Sequence, residues 1–154
     1  MATIGFDLDG VLIRNPFGSH VFPTFHRAMR GAPLLRGLDE TVVHGAVTRA
    51  VRAHWGELMR RGELVAAYDW DATFRAVAEE FGGTDVPDVA ALVREGCLIE
   101  GAIAALPHAE QTLAALAGAG HRLVAVTNGY AAFQEPVLEA LGLLPYFERV
   151  VTPD

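Results

Sequence analysis

Ile4-Gly5-Phe6-Asp7-Leu8-Asp9-Gly10-Val11-Leu12 is the stretch that decides the fold. Thr3-Ile4-Gly5-Phe6 is short and β-prone and breaks at once into Asp7-x-Asp9-Gly10, the pattern of a buried strand ending in a polar loop. In such a loop, carboxylates at i and i+2 can converge on one phosphoryl group and stay chemically distinct: one attacks phosphorus, the other moves protons. Gly10 lets the backbone approach an oxyanion closely enough for N–H groups to donate to it. Spacing alone does not carry this reading, because Asp69-Trp70-Asp71 repeats it at an expected helix start, where capping and the helix dipole account for both acids. Context separates the two pairs.

Further along the chain, Leu123-Val124-Ala125-Val126 reads as a second strand closed by Thr127-Asn128-Gly129, and Val150-Val151 as a third. Continuous apolar runs of this kind suit parallel strands covered on both faces. Between them, Phe133, Val137, Leu138 and Leu141 recur at helical spacing from Ala131 to Leu141, with Gly142 as the stop. Strand, helix, strand is a right-handed crossover. Ahead of the second strand, Ala109 to Ala117 reads as another helix, with Pro107 where it would begin. The fold class is therefore α/β.

Thr127 would stand beside the first loop at the carboxyl edge of a neighbouring strand, where open α/β sheets bind ligands, and its hydroxyl could bond a phosphoryl oxygen. Asn128 and Gly129 open the loop before a helix, whose N-terminal N–H groups attract anions. The same three residues also read as a plain turn signal.

The segment from about Asn15 to Gly101 offers helices and no convincing strand. Asp39 can cap a helix striped by Val43, Val47, Ala50, Val51, His54 and Leu58 and ending near Gly62; Asp69 can cap another through Phe74, Val77, Ala78 and Phe81, stopped by Gly82-Gly83; Pro87 opens a third. Trp55, Tyr68 and Trp70 could stack a base or ring, but at helical spacing they read first as core.

The chain has 154 residues, 51% of them hydrophobic, and a formal net charge of −7. A chain of this length can bury about two thirds of its unfolded surface in one compact unit. With no sustained basic face, nucleic acid and anionic membrane are poor candidate partners. All twelve basic residues are Arg, and Lys is absent. Cys97 stands alone, which rules out an internal disulfide and fits a reducing compartment. The start shows no basic and apolar leader, so a cytoplasmic location is expected. The six histidines form no i, i+4 pair, and a zinc site is not expected.

Taken together, Ile4 to Leu12 as a first motif and Leu123 to Gly129 as a second resemble the haloacid dehalogenase superfamily. So does the run from Leu106-Pro107 to Val150-Val151-Thr152 with its Leu141-Gly142-Leu143 and Tyr146-Phe147. The resemblance implies a Rossmann-like, three-layer parallel sheet core, incomplete at about three strands and formed by residues 1–14 and 102–154, with an α-helical cap insertion at 15–101. It implies that Asp7 forms an aspartyl-phosphate and that Asp9 protonates the leaving oxygen and then activates water. Asp9 is what separates the phosphatases of that family from its dehalogenases. Mg2+ would be held by the Asp7 carboxylate, the Asp9 carbonyl and a further acid. Thr127, with Gly10, Asn128 and Gly129, would bind the phosphoryl. The substrate implied is a small phosphorylated metabolite, and Gln134 after the second motif resembles nucleotidase-like and sugar-phosphatase branches.

The family also uses a Lys after the third strand and an acidic pair after a fourth, and neither stands in this sequence. Arg149 lies in the third strand rather than after it and is a poor substitute. The family's first strand has the fourth beside it, so Thr3 to Phe6 is expected to present an open apolar edge. A fragment of a longer protein, or pairing with another chain such as a second copy through that edge, is therefore expected. The alternative function is a non-catalytic or partner-dependent domain of the same fold. A phosphoacceptor receiver domain fits less well, because of the long helical insertion between the strands bearing Asp7 and Thr127.

Overall fold

The computed structural model describes residues 1–154. The chain divides into two compact units, one made of Met1–Phe17 and Val93–Asp154 and the other of Gly18–Leu92.

The first unit is built on a three-stranded parallel sheet. Its strands are β1 (Thr3–Phe6), β4 (Arg122–Val126) and β5 (Arg149–Val151), in the order β1-β4-β5. Phe6 stands opposite Ala125 and Ala125 opposite Val150, so the carboxyl ends of all three strands lie along one rim. Helices α6 (Ala109–Gly118) and α7 (Ala131–Ala140) join these strands. Leu113, Leu123, Ala125, Val137, Leu138 and Leu143 are fully or almost fully buried, forming the core of this unit. The α/β class with a Rossmann-like parallel sheet is thus the observed fold. β1 is an outer strand, with Thr3 and Gly5 exposed and Ile4 and Phe6 half-buried.

A second, antiparallel pair joins β2 (Ile13–Arg14) to β3 (Ala104–Ala105). The sequence pattern does not announce it, because two-residue strands have no room for periodicity. α6 begins at Ala109, as expected, just after Pro107; its N-cap is His108, which takes a left-handed φ of 65° that non-glycine residues adopt rarely.

The second unit is helical: α1 (Phe22–Met29), α2 (Glu40–Arg60), α3 (Leu64–Ala67) and α4 (Trp70–Glu80), with α5 (Val89–Cys97) beginning in it. A π-helical turn, Phe17–Val21, leads into α1. Asp39 accepts from Thr41 N at 2.8 Å and caps α2; Asp69 accepts from Ala72 N at 2.9 Å and caps α4. Phe25 and Phe74 are fully buried and stack with centroids 3.9 Å apart. No helix is long and apolar enough to cross a membrane.

Candidate functional site

The loop after β1 places its acids through one buried residue. Leu8 has no exposed surface while Asp7 and Asp9 on either side are exposed, so the alternation that drives Leu8 into the core turns both carboxylates the other way. The Leu8 carbonyl accepts from Val11 N, Leu12 N and Ile13 N at 3.2, 2.9 and 3.0 Å, and Gly10 N donates to the Ile13 carbonyl at 3.0 Å. This coil needs a positive φ of 76° at Gly10, which glycine adopts without a Cβ penalty.

The two acids differ in their surroundings. Asp7 Oδ1 accepts from the neighbouring Leu8 N at 2.8 Å. Asp9 is held at both oxygens: Oδ1 accepts from Asn15 Nδ2 at 2.6 Å and Oδ2 from Gln134 Nε2 at 2.8 Å. Although Asp9 as a residue is exposed, its carboxyl head is crowded. Loss of hydration raises its pKa above the usual carboxylate value, the Asp7 charge adds to the rise, and the two amide donors offset part of it.

Because β1 and β4 are adjacent and parallel, the loop bearing Asp7 and Asp9 and the loop bearing Thr127 leave the same rim. The bond from Gln134 to Asp9 ties α7, the helix after β4, to that first loop. Thr127 is buried, its N–H donates to the Val151 carbonyl at 3.1 Å, and its hydroxyl accepts from Gly129 N at 3.1 Å. The N–H of Gly129 is therefore engaged inside the turn. At the start of α7, Ala131 N donates to Asp154 Oδ1 at 3.0 Å, so a carboxylate of the chain itself stands where the helix end favours an anion. That contact holds the Asp154 pKa below its usual value. Asn128 is exposed on the same loop.

The second Asp-x-Asp pair is structural. Asp69 caps α4, and Asp71 Oδ1 accepts from Val89 N at 3.0 Å, which fixes the start of α5. In the helical unit Trp55 and Trp70 line a cleft of about 330 Å3 with Phe22, Val51, His26 and Arg52. Phe22 and Trp70 meet edge to face at 5.2 Å.

Asn15 and Gln134 are the two residues at the site whose contacts the sequence does not foretell. They bond Asp9 from positions 6 and 125 residues away, and no local period encodes such contacts.

A pattern for haloacid dehalogenase-like hydrolases matches residues 1–154. The chain belongs to that family. Comparison with curated proteins finds no match. Among solved structures, the chain is similar to a HAD phosphatase from Thermococcus onnurineus, with 21% identity and a TM-score of 0.70 over 100% of this chain and 63% of that one. It is also similar to a predicted phosphoglycolate phosphatase from Haemophilus somnus 129pt, with 22% identity and a TM-score of 0.53 over 99% and 64% of the two chains. YfnB of Bacillus subtilis, bound to magnesium, matches at 18% identity and a TM-score of 0.57 over 98% and 63%. At these identities the likeness is one of fold. The chain spans a little under two thirds of the length of each of these structures.

Members of this family raise the question of a divalent cation. The rim supplies hard oxygen donors in Asp7 and Asp9, but no third His, Cys, Asp or Glu joins them in a metal-binding group. Mg2+ is commonly held by one or two carboxylates with waters and substrate phosphate oxygens completing the shell. The donors present fit that open arrangement and do not form an all-protein cage.

Proposed function

We propose that the whole protein is a Mg2+-dependent phosphatase of the cytoplasm. It would hydrolyse the phosphate ester of a small metabolite through an aspartyl-phosphate, with residues 1–14 and 102–154 as its core and 15–101 as a helical cap. The observation that carries this reading is the unequal treatment of two neighbouring carboxylates at one sheet rim. Asp9 has a raised pKa and both oxygens held, while Asp7 makes one local bond. Pairs of acids set apart by their environments divide the roles of nucleophile and acid.

In this reading Asp7 forms a bond to phosphorus as the bond to the leaving oxygen breaks, and Asp9 gives its proton to that oxygen. Water then attacks phosphorus, its proton passes to Asp9, and the Asp7 carboxylate is released with inorganic phosphate. Thr127 and Asn128 hold the phosphoryl oxygens, while the N–H groups of Gly10 and Gly129, taken by the Ile13 carbonyl and Thr127 Oγ1, shape the two loops and do not reach the substrate. Mg2+, held by the Asp7 carboxylate and the Asp9 carbonyl, would neutralise charge on the transferring group. Nucleotide and sugar phosphates are the substrate classes to try first.

The test is hydrolysis of a panel of phosphate esters by the product of the whole gene, with and without Mg2+. Hydrolysis that needs the metal and is lost in Asp7→Asn is expected. Turnover that survives Asp7→Asn would remove Asp7 from the nucleophile role.

One observation favours a second reading. β1 is an outer strand, and its free backbone groups could pair with a second copy or another chain. In that case the domain acts by association. A monomer at all working concentrations would count against this reading.

A further inference from the structure

We propose that Asn15 and Gln134 are a pair of positioning residues that clamp the Asp9 carboxylate in the orientation needed to pass its proton to the leaving oxygen. Gln134 locks the loop after β1 to the helix after β4. The inference rests on the acid role proposed for Asp9.

Asp9 is exposed, and an exposed aspartate turns freely about two side-chain torsions. Here each oxygen is taken by a different amide from a different part of the chain. Neither amide is free to turn. Asn15 Oδ1 accepts from Phe17 N at 3.0 Å, which leaves only its Nδ2 to face Asp9. The Phe17 ring packs edge to face on Phe133, next to Gln134, with centroids 5.9 Å apart.

Gln134 is only 3% exposed, and its Oε1 is buried without a partner. A buried amide oxygen left unbonded costs stability. The chain tolerates that cost with the other end of the amide aimed at Asp9.

Gly129 completes the arrangement. A Cβ built there would fall on Gln134 Nε2 and come within 2.9 Å of its Cγ and 3.0 Å of its Cδ. Only a residue without a side chain lets Gln134 lie along the loop and reach Asp9. Gly129 has no left-handed φ to explain its identity, so the close approach is the reason for glycine at this position. Asn15, Gly129 and Gln134 thus converge on one carboxylate, although none of them touches the reacting atoms.

The experiment uses the product of the whole gene with two substrates, an alkyl phosphate and 4-nitrophenyl phosphate, and reads kcat/KM, which reports up to release of the first product. The alkyl leaving group needs a proton and the nitrophenolate does not. Gln134→Leu, close in volume, should lower kcat/KM for the alkyl ester by about tenfold to a hundredfold, the range expected when a catalytic group is misplaced by about an ångström. For the nitrophenyl ester the loss should stay below about threefold. Gly129→Ala should show the same selective loss and add little to Gln134→Leu, since both displace one contact. Asn15→Ala acts on the other oxygen and carries the test should Gln134→Leu not fold.

Equal losses on both esters, or none, in variants that keep the wild-type melting temperature would overturn the clamp, provided that Asp9→Asn itself shows the selective loss. If Asp9→Asn shows no selectivity, or Asp7→Asn stays active, the proposed function fails instead, and the clamp falls with it.

Discussion

At the scale of single residues, the chemistry of this chain depends on an apolar side chain as much as on its acids. Leu8 is fully buried between Asp7 and Asp9, and its carbonyl gathers three N–H groups of the loop. The burial makes the two carboxylates share a side, and the carbonyl holds the loop that presents them. Truncating a buried leucine loses transfer energy and leaves a cavity, together about 2–5 kcal/mol. Leu8→Ala is therefore expected to lower unfolding free energy in urea by that amount, with the slope unchanged. A cost below about 1 kcal/mol would mean that Leu8 is not the anchor described. Asp9 illustrates the reverse dependence: its carboxyl keeps its place through the amides of Asn15 and Gln134 rather than through burial of its own chain.

At the scale of elements, capping decides which of two identical spacings is structural. Asp69 bonds Ala72 N at the head of α4, whereas Asp7 heads no helix. Asp69→Ala should cost about 1 kcal/mol, the usual loss for a cap replaced by alanine. It should leave any phosphatase activity of the whole protein unchanged, so a large fall in turnover without a fall in stability would return the second pair to the list of functional acids. The elements legible in the sequence are those long enough to show a period or bounded by a strong stop. These include α2 behind Asp39, α4 behind Asp69, α7 before Gly142, and β1 and β4 as apolar runs broken by polar loops. The illegible elements have other causes. Ile13–Arg14 and Ala104–Ala105 are paired by tertiary register alone, and the five-residue Phe17–Val21 turn is too short to show a helical period. That Asp7, Asp9 and Thr127 stand on loops at one sheet rim was legible because motif and strand end coincide. The bond from Gln134 to Asp9 was not, because a contact 125 residues apart is a product of the fold.

At the scale of the whole molecule, two titrating groups give stability opposite slopes with pH. His26 takes one ring nitrogen to the Phe22 carbonyl at 2.7 Å and the other to Thr48 Oγ1 at 3.1 Å, with the His44 ring 4.3 Å away. It shares a cleft with Arg27, Arg30, Glu40 and His44. Burial first, and then His44, lower its pKa below 6.5, against the Phe22 carbonyl, which raises it. The unfolded chain therefore binds that proton first, and stability falls as pH drops below 6.5 until the folded value is passed. The urea midpoint should decline from pH 7.5 to 5.5, and His26→Gln should flatten the decline. Asp9 slopes the other way. Its folded pKa lies above 3.8, so the folded state holds that proton more tightly. The resulting stabilisation is present below 3.8 and is lost as pH rises through the folded value. Replacing the ionisable group removes the slope: the urea midpoint of Asp9→Asn minus that of the wild type should shift in favour of the variant between pH 3.5 and 7. Asparagine also turns an N–H2 toward one of the two amide donors, which lowers the variant's midpoint by an amount that does not vary with pH. The trend, and not the offset, therefore reports the crowding of the Asp9 carboxyl. A difference that stays flat across this range would mean that the carboxyl is hydrated as freely in the folded chain as in the unfolded one, and the physical basis for separating it from Asp7 would be gone.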